Sequence, residues 1–224
     1  MPHGTRVAGS RAAFESRSGP CDARDMLLNG IEKTLVNNPV RAATQRYVEA
    51  RWLRSMATAP LPHDARVLEI GCGRGVGTEI ILDVFHASHV DAFDLDARMV
   101  DLARSRLARR GDRARLFVGD AEHIDVPDGH YDAVFDFAIV HHIPDWRSTL
   151  HEVRRVLKPG GRFYVEEVLR RFIHAPVWSR LLDHPMHDRF DHAAFGDALR
   201  ENGFVVEGTK NLFEWFGFWV ARKL

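Results

Sequence analysis

Several things are scarce in this chain of 224 residues, and each scarcity narrows the reading. Cysteine occurs only at Cys21 and Cys72, too few and too badly placed for a disulfide framework. No apolar run approaches the roughly 18 residues that a membrane helix needs, and no signal-type apolar stretch precedes residue 26. There is no excess of either charge: Lys+Arg and Asp+Glu are both 31. That speaks against nucleic-acid binding driven by bulk electrostatics. Lysine itself is confined to Lys33, Lys158, Lys210 and Lys223, so arginine carries nearly all the positive charge. A single globular domain in a reduced, cytoplasmic setting is the expectation, with no integral membrane segment and with the oligomeric state open.

Residues 1–25 are rich in Gly, Ser, Arg and Pro without periodicity and read as a mobile tail. The arginines suggest an organelle-targeting peptide, a reading that Glu15 and Asp22 oppose. Residues 26–37 and 40–57 read as helices, punctuated by Asn38-Pro39, and residues 26–62 are expected to form part of a lid. From residue 63 to 224 strands and helices alternate. Strands are expected at 66–70, 89–93, 114–118, 131–137, 161–168, 203–209 and 213–222. Helices are expected at 76–86, 97–109, 145–157 and 191–202. This rhythm predicts an α/β, doubly wound, Rossmann-like sheet of seven strands, mostly parallel, with an antiparallel last strand and helical lid elements. The rhythm breaks over 169–190, read as a lid insertion.

The densest signal is Val67-Leu68-Glu69-Ile70-Gly71-Cys72-Gly73-Arg74-Gly75, a buried-strand pattern running into a glycine turn and a helix. A dinucleotide fingerprint, G-x-G-x-x-G, would need glycine at 76, where Val76 stands. A nicotinamide oxidoreductase is disfavoured on that ground. The pattern present, acidic-x-Gly-x-Gly-x-Gly, resembles the first motif of the class I S-adenosylmethionine-dependent methyltransferases. Further stretches follow in that family's order. Asp94 ends the second strand, 21 residues after Gly73, and Phe117-Val118-Gly119-Asp120-Ala121 ends the third. Tyr131 to Phe137 runs into Ala138-Ile139-Val140-His141-His142, and Glu152 to Gly161 contains Leu157-Lys158-Pro159-Gly160-Gly161. Together these resemble the ubiquinone/menaquinone C-methyltransferase-like (type 11) branch over residues 66–168.

The resemblance implies S-adenosyl-L-methionine as cofactor and a role for each matching residue. Gly71, Cys72, Gly73 and Gly75 would lie against the methionine part, with Glu69 near its ammonium. Asp94 would accept from the ribose hydroxyls. Leu95 and Met99 would flank the adenine, and Asp120 and Ala121 would meet its amino group and a ring nitrogen. Asp136 and Phe137 would border the sulfonium, where this chain is bulkier and more acidic than the family pattern. The implied activity is methyl transfer to a small, apolar or aromatic molecule; the alternative is a cofactor-binding module without transferase activity. For a catalytic base, His141 is the first candidate, followed by Glu166 and Glu167, of which strand alternation sends one into the pocket and the other away. No metal site is expected, since His184, His187 and His192 fit no compact ligand spacing. The arginines at 104–115 read as a solvated helix face.

Overall fold

The computed structural model describes residues 38–176 and 188–224. The expected tail, the expected helix 26–37 and residues 177–187 of the expected lid insertion lie outside the described residues. The first helix, α1, runs in three consecutive stretches: Pro39–Thr44, a wider π-type stretch Gln45–Glu49, and Ala50–Met56. Asn38 caps it, its side chain accepting from the Arg41 amide at 2.8 Å, and Pro39 takes the first helical position, where a missing N–H costs nothing.

The elements that follow are β1 (Arg66–Ile70), α2 (Val76–Asp83), β2 (His89–Asp94), α3 (Ala97–Leu107), β3 (Ala114–Val118), β4 (Tyr131–Phe137), α4 (Trp146–Val156), β5 (Leu157–Val168), α5 (Arg170–Ile173), α6 (His192–Glu201), β6 (Phe204–Leu212) and β7 (Phe216–Lys223). They build one seven-stranded sheet in the order β3-β2-β1-β4-β5-β7-β6. Neighbours from β3 to β5 are parallel, and β7 is antiparallel to both β5 and β6. The strand order reverses between β1 and β4, so the crevice for a ligand lies outside their carboxyl ends.

Side-chain alternation divides the core in two. Leu68, Ile70, Val134 and Val165 pack on one face against Trp146, Leu150 and Val153 of α4 and Phe195 and Leu199 of α6. Val67, Phe135, Tyr164 and Val220 pack on the other, against Leu53 of α1 and Ile80 and Ile81 of α2. There Phe135 and Tyr164 stack at 4.5 Å, with Phe85 edge-on to both.

Several boundaries differ from expectation by two or more residues. The helix expected at 76–86 ends at Asp83. β5 begins at Leu157 rather than 161, because the chain pairs there before bulging. Its register jumps from Tyr131↔Leu157 to Ala133↔Arg162, and Gly160 turns with φ +79°. The last strand begins at Phe216 rather than 213. Phe213 and Glu214, with φ +57° and +60°, form a two-residue hairpin turn closed by the Trp215 amide on the Leu212 carbonyl at 2.9 Å. Such turns usually carry Asn or Gly, so the residue types did not announce it.

Candidate active site

The glycine turn leaves β1 at the carboxyl edge, next to the strand-order reversal. Gly71 and Gly73 both have positive φ, +67° and +51°, yet they differ in surroundings. A Cβ on Gly71 would meet the Ile139 side chain at 2.5 Å, whereas one on Gly73 would meet nothing within 4 Å. Gly71 is closed by packing, and Gly73 faces open space that a ligand can fill. The Gly73 amide donates to Asp94 Oδ2 at 2.8 Å, and the Asp96 amide donates to Asp94 Oδ1 at 2.9 Å. These bonds aim the Asp94 carboxylate. Asp96 caps α3 through the Arg98 amide. Leu95 and Met99 are half-buried beside Asp94. At the end of β3, Asp120 Oδ1 accepts from the Glu122 amide at 2.9 Å, and Ala121 is buried. Cys72 is buried and unpaired, its thiol pushed up by burial, and its amide donates to the Phe93 carbonyl at 2.8 Å. It packs the turn and is not poised for redox chemistry.

Glu69 is fully buried and accepts from the Thr78 hydroxyl of α2. Burial raises its pKa to about 8, with Asp94 and Asp136 adding to the rise. Phe137 lies beside it, the two crowding the space above Gly77. Strand alternation separates Phe137 from Asp136, and the two stand on opposite faces of the sheet. Asp136 is fully buried. Its Oδ1 accepts from the Ile139 amide at 3.0 Å, and its carboxyl also lies within hydrogen-bonding reach of the Glu167 carboxyl. Burial and then the nearby Glu167 push its pKa well above the carboxylate range.

Glu166 and Glu167 point to opposite faces, as alternation requires. Glu167 accepts from the Val140 amide at 2.6 Å, from His141 Nδ1 at 2.6 Å and from the Val168 amide at 3.0 Å. Burial nonetheless pushes it up, to about 7. His141 is itself buried, on a short 3-10 turn Val140–His142. Burial, then the charge of Arg189, lowers its pKa to about 3. Arg189 holds that turn by donating to the His141 carbonyl at 2.7 Å and the Ile143 carbonyl at 3.1 Å. His141, the first candidate base, is thus a buried imidazole tied to Glu167.

Glu166 is 1% exposed and faces α1. Arg41 donates to both Glu166 and Glu49, and Gln45 Nε2 donates to Glu166 at 3.4 Å. Burial opposes the Arg41 charge, but the two carboxylates outweigh it and its pKa is raised. Glu49 rises to about 8, by burial first and then by the neighbouring Glu166. Sequence reasoning missed these three α1 residues. The signal available was their spacing, 41, 45 and 49, at four-residue steps along one helix. It also missed Ala138, held at φ +64° just after β4, its amide bonded to the Glu166 carbonyl at 2.7 Å.

Among the described residues no group of three potential metal ligands comes together. His192 stacks on Trp219 and meets Thr209, while His184 and His187 lie outside the described residues. The arginine run is largely exposed, with Arg106 paired to Glu79, Arg110 to Asp83 and Arg115 to Asp91. No described helix is long and apolar enough to cross a membrane.

Comparison with known proteins follows the same geometry. The family model for a methyltransferase domain matches residues 67–161. A demethylmenaquinone methyltransferase of Lactiplantibacillus plantarum is 31% identical over 184 residues, covering 79% of this chain and 74% of that protein. A 2-methyl-6-phytyl-1,4-hydroquinone methyltransferase of a Synechocystis species is 31% identical over 164 residues, covering 69% and 51%. The chain spans about half the length of several curated relatives that it matches. Among solved structures, a SAM-dependent methyltransferase from Aquifex aeolicus superposes with a TM-score of 0.66 at 18% identity, covering 86% of this chain and 97% of that one, and so shares the fold.

Proposed function

Because the chain belongs to the class I S-adenosylmethionine-dependent methyltransferases, in the type 11 branch, we propose that it transfers a methyl group from S-adenosyl-L-methionine to a small, apolar or aromatic acceptor. One observation carries this reading. The open space over Gly73 and the aimed carboxylate of Asp94 lie together at the crevice where the strand order reverses.

When bound, the cofactor supplies a methyl group already activated on a sulfonium. The protein's work is to hold, align and shield. The 71–75 turn and Glu69 would hold the amino-acid end, and Asp94 the ribose. Leu95, Met99, Asp120 and Ala121 would hold the adenine, and Asp136 and Phe137 would border the reacting centre from opposite sides. Orientation of this kind can supply up to roughly 7–11 kcal/mol of the barrier.

Of the three candidate bases, Glu166 is favoured. The oxygens of Glu167 are taken by three N–H donors. An imidazole held down to about 3 is neutral but a weak proton acceptor, which makes His141 a positioning residue for its turn. An apolar acceptor is supported by the aromatic group Phe172, Trp215 and Phe216 at the same sheet edge, and by the menaquinone and hydroquinone names of two relatives. In this reading α1 and the chain just after β5, residues 169–176, cover the acceptor, no nucleic acid takes part, and the setting is the cytoplasm, consistent with the free thiol of Cys72.

Calorimetric titration tests the proposal. The protein is expected to bind S-adenosylmethionine and S-adenosylhomocysteine but not NAD. Asp94→Ala should weaken S-adenosylhomocysteine by about 1.5–3 kcal/mol, the value of hydrogen bonds to a charged group. No binding by the wild type would sink the reading, and unchanged affinity in Asp94→Ala would place the ribose elsewhere. A screen for methyl transfer to small phenols, acids and amines then separates an enzyme from a binding module.

A further inference from the structure

The irregular stretch of α1 coincides with its polar contacts. An α-helix widens to π-type over Gln45–Glu49, and π-type turns gather at functional sites. Both ends of this stretch, Gln45 and Glu49, belong to the group that meets the end of β5, and Arg41 stands one turn earlier. Gln45 is a buried amide and Glu166 a buried carboxylate. Burying this many polar groups costs several kcal/mol unless each is bonded. Packing α1 on the sheet does not require them, since Leu53 and Ala50, both fully buried, already do that.

The location matters as much as the chemistry. Glu166 pairs in register with Phe137 on β4 and with Phe218 on β7, so an aromatic ring flanks it on each side. Phe137 borders the place proposed for the reacting centre. Resting on that reading of the site, we propose that Arg41, Gln45 and Glu49 of α1 form, with Glu166, the recognition site for a neutral hydroxyl on an aromatic methyl acceptor.

The donor and acceptor inventory selects this head group. Arg41 and Gln45 only donate toward the group's oxygens, and Glu166 only accepts when ionised, so a hydroxyl that does both can bridge them. A carboxylate head would face two carboxylates that already share one guanidinium. An ammonium would have to compete with Arg41, which already donates to both carboxylates. An apolar ring without a head group would leave the site as it is.

The test uses the full chain loaded with S-adenosylhomocysteine and four probes with one apolar body: 4-ethylphenol, ethylbenzene, 4-ethylbenzoate and 4-ethylbenzylammonium. Their affinities are read by ligand-observed NMR. The wild type is expected to prefer the phenol by about tenfold over each of the others, the effect of one or two hydrogen bonds. Glu166→Gln, in which the acceptor becomes an amide of the same shape, should remove that preference while ethylbenzene and S-adenosylhomocysteine bind unchanged. Glu49→Gln, still able to donate, should keep most of it. A merely structural role for the cluster would change stability in these variants but not the order of the probes. The proposal is overturned if the wild type shows no phenol preference or no phenol binding, or if the preference survives Glu166→Gln. Intact S-adenosylhomocysteine binding in that case leaves the methyl-transfer reading standing; its loss in the wild type brings down both.

Discussion

A glycine's role at the turn depends on what a side chain there would meet. Gly71 faces Ile139 at 2.5 Å from a would-be Cβ, so a side chain there must displace the wall of the turn. Gly73 faces nothing, and its only built-in cost is a positive φ, about 1–2 kcal/mol for an ordinary residue. Gly73→Val is therefore expected to stay folded by circular dichroism, slightly less stable, and to lose S-adenosylhomocysteine binding. A variant that is folded and still binds would show that the cofactor does not lie over this turn. The residue types here were readable from sequence, because glycines between a strand and a helix have few other uses. The partners were not. Nothing in the order of residues says that Asp136 is buried beside Glu167, or that His141 is buried against the same carboxylate. Burial and the identity of a long-range partner depend on how the strands are placed in register.

At the scale of elements, α1 shows where a pattern stops being informative. Asn38 and Pro39 mark its start through capping chemistry, which is local. An apolar stripe marks one side as buried, and Leu53, fully buried among α1, α2 and the sheet, is its centre. Leu53→Ala should cost about 2–5 kcal/mol, from lost transfer energy and the cavity left behind. Chemical denaturation should show this as a lower midpoint with an unchanged slope; a cost under about 1 kcal/mol would mean that α1 is docked by its ion pairs rather than its apolar face. The polar stripe 41-45-49 was legible only as a spacing. That it closes on Glu166 follows from a contact 125 residues away in sequence. The β6–β7 hairpin is the converse case: its turn carries Phe213 and Glu214 against local preference, so tertiary pairing of two long strands sets the turn.

Across the whole molecule, buried carboxyls set the response to pH in two opposite directions. Glu207 ties β6 to Arg162 of β5, Arg222 of β7 and Thr58 after α1, with contacts of 2.8–3.1 Å. Burial alone would raise its pKa, but Arg162 and Thr58 outweigh it and hold it at about 2. Its folded value lies below the unfolded one of about 4.5, so its stabilisation is present above pH 4.5 and is lost as pH falls toward 2. Glu69 behaves in the opposite way. Its folded pKa, about 8, exceeds the unfolded value, so between about pH 4.5 and 8 the unfolded chain has released a proton that the fold retains. Stability contributed at that site therefore declines as pH rises through this window. Urea denaturation from pH 2 to 8 should show Glu207→Gln flattening the acid limb and Glu69→Gln flattening the decline toward pH 8. An unchanged acid limb in Glu207→Gln would mean that other carboxyls drive acid unfolding. Glu69→Gln should also bind S-adenosylhomocysteine less well despite its added stability near neutral pH, the trade expected of a group retained for a ligand.

Local chemistry was enough to determine a good deal about this protein. Apolar runs bounded by glycine and proline located seven strands, and their alternation with helices made the sheet mostly parallel with a reversed last strand. The acidic-x-Gly-x-Gly-x-Gly turn and the carboxylate at 94 pointed to the sheet edge where the cofactor is proposed to bind, because both signals lie within about one βαβ unit of sequence. Tertiary structure alone decided which buried acid meets which partner. Strand alternation sent Glu166 to α1 and Glu167 to His141, and it parted Asp136 from Phe137. Those choices rest on strand register and helix docking, which are settled by the burial of the whole core rather than by any neighbouring residues along the chain.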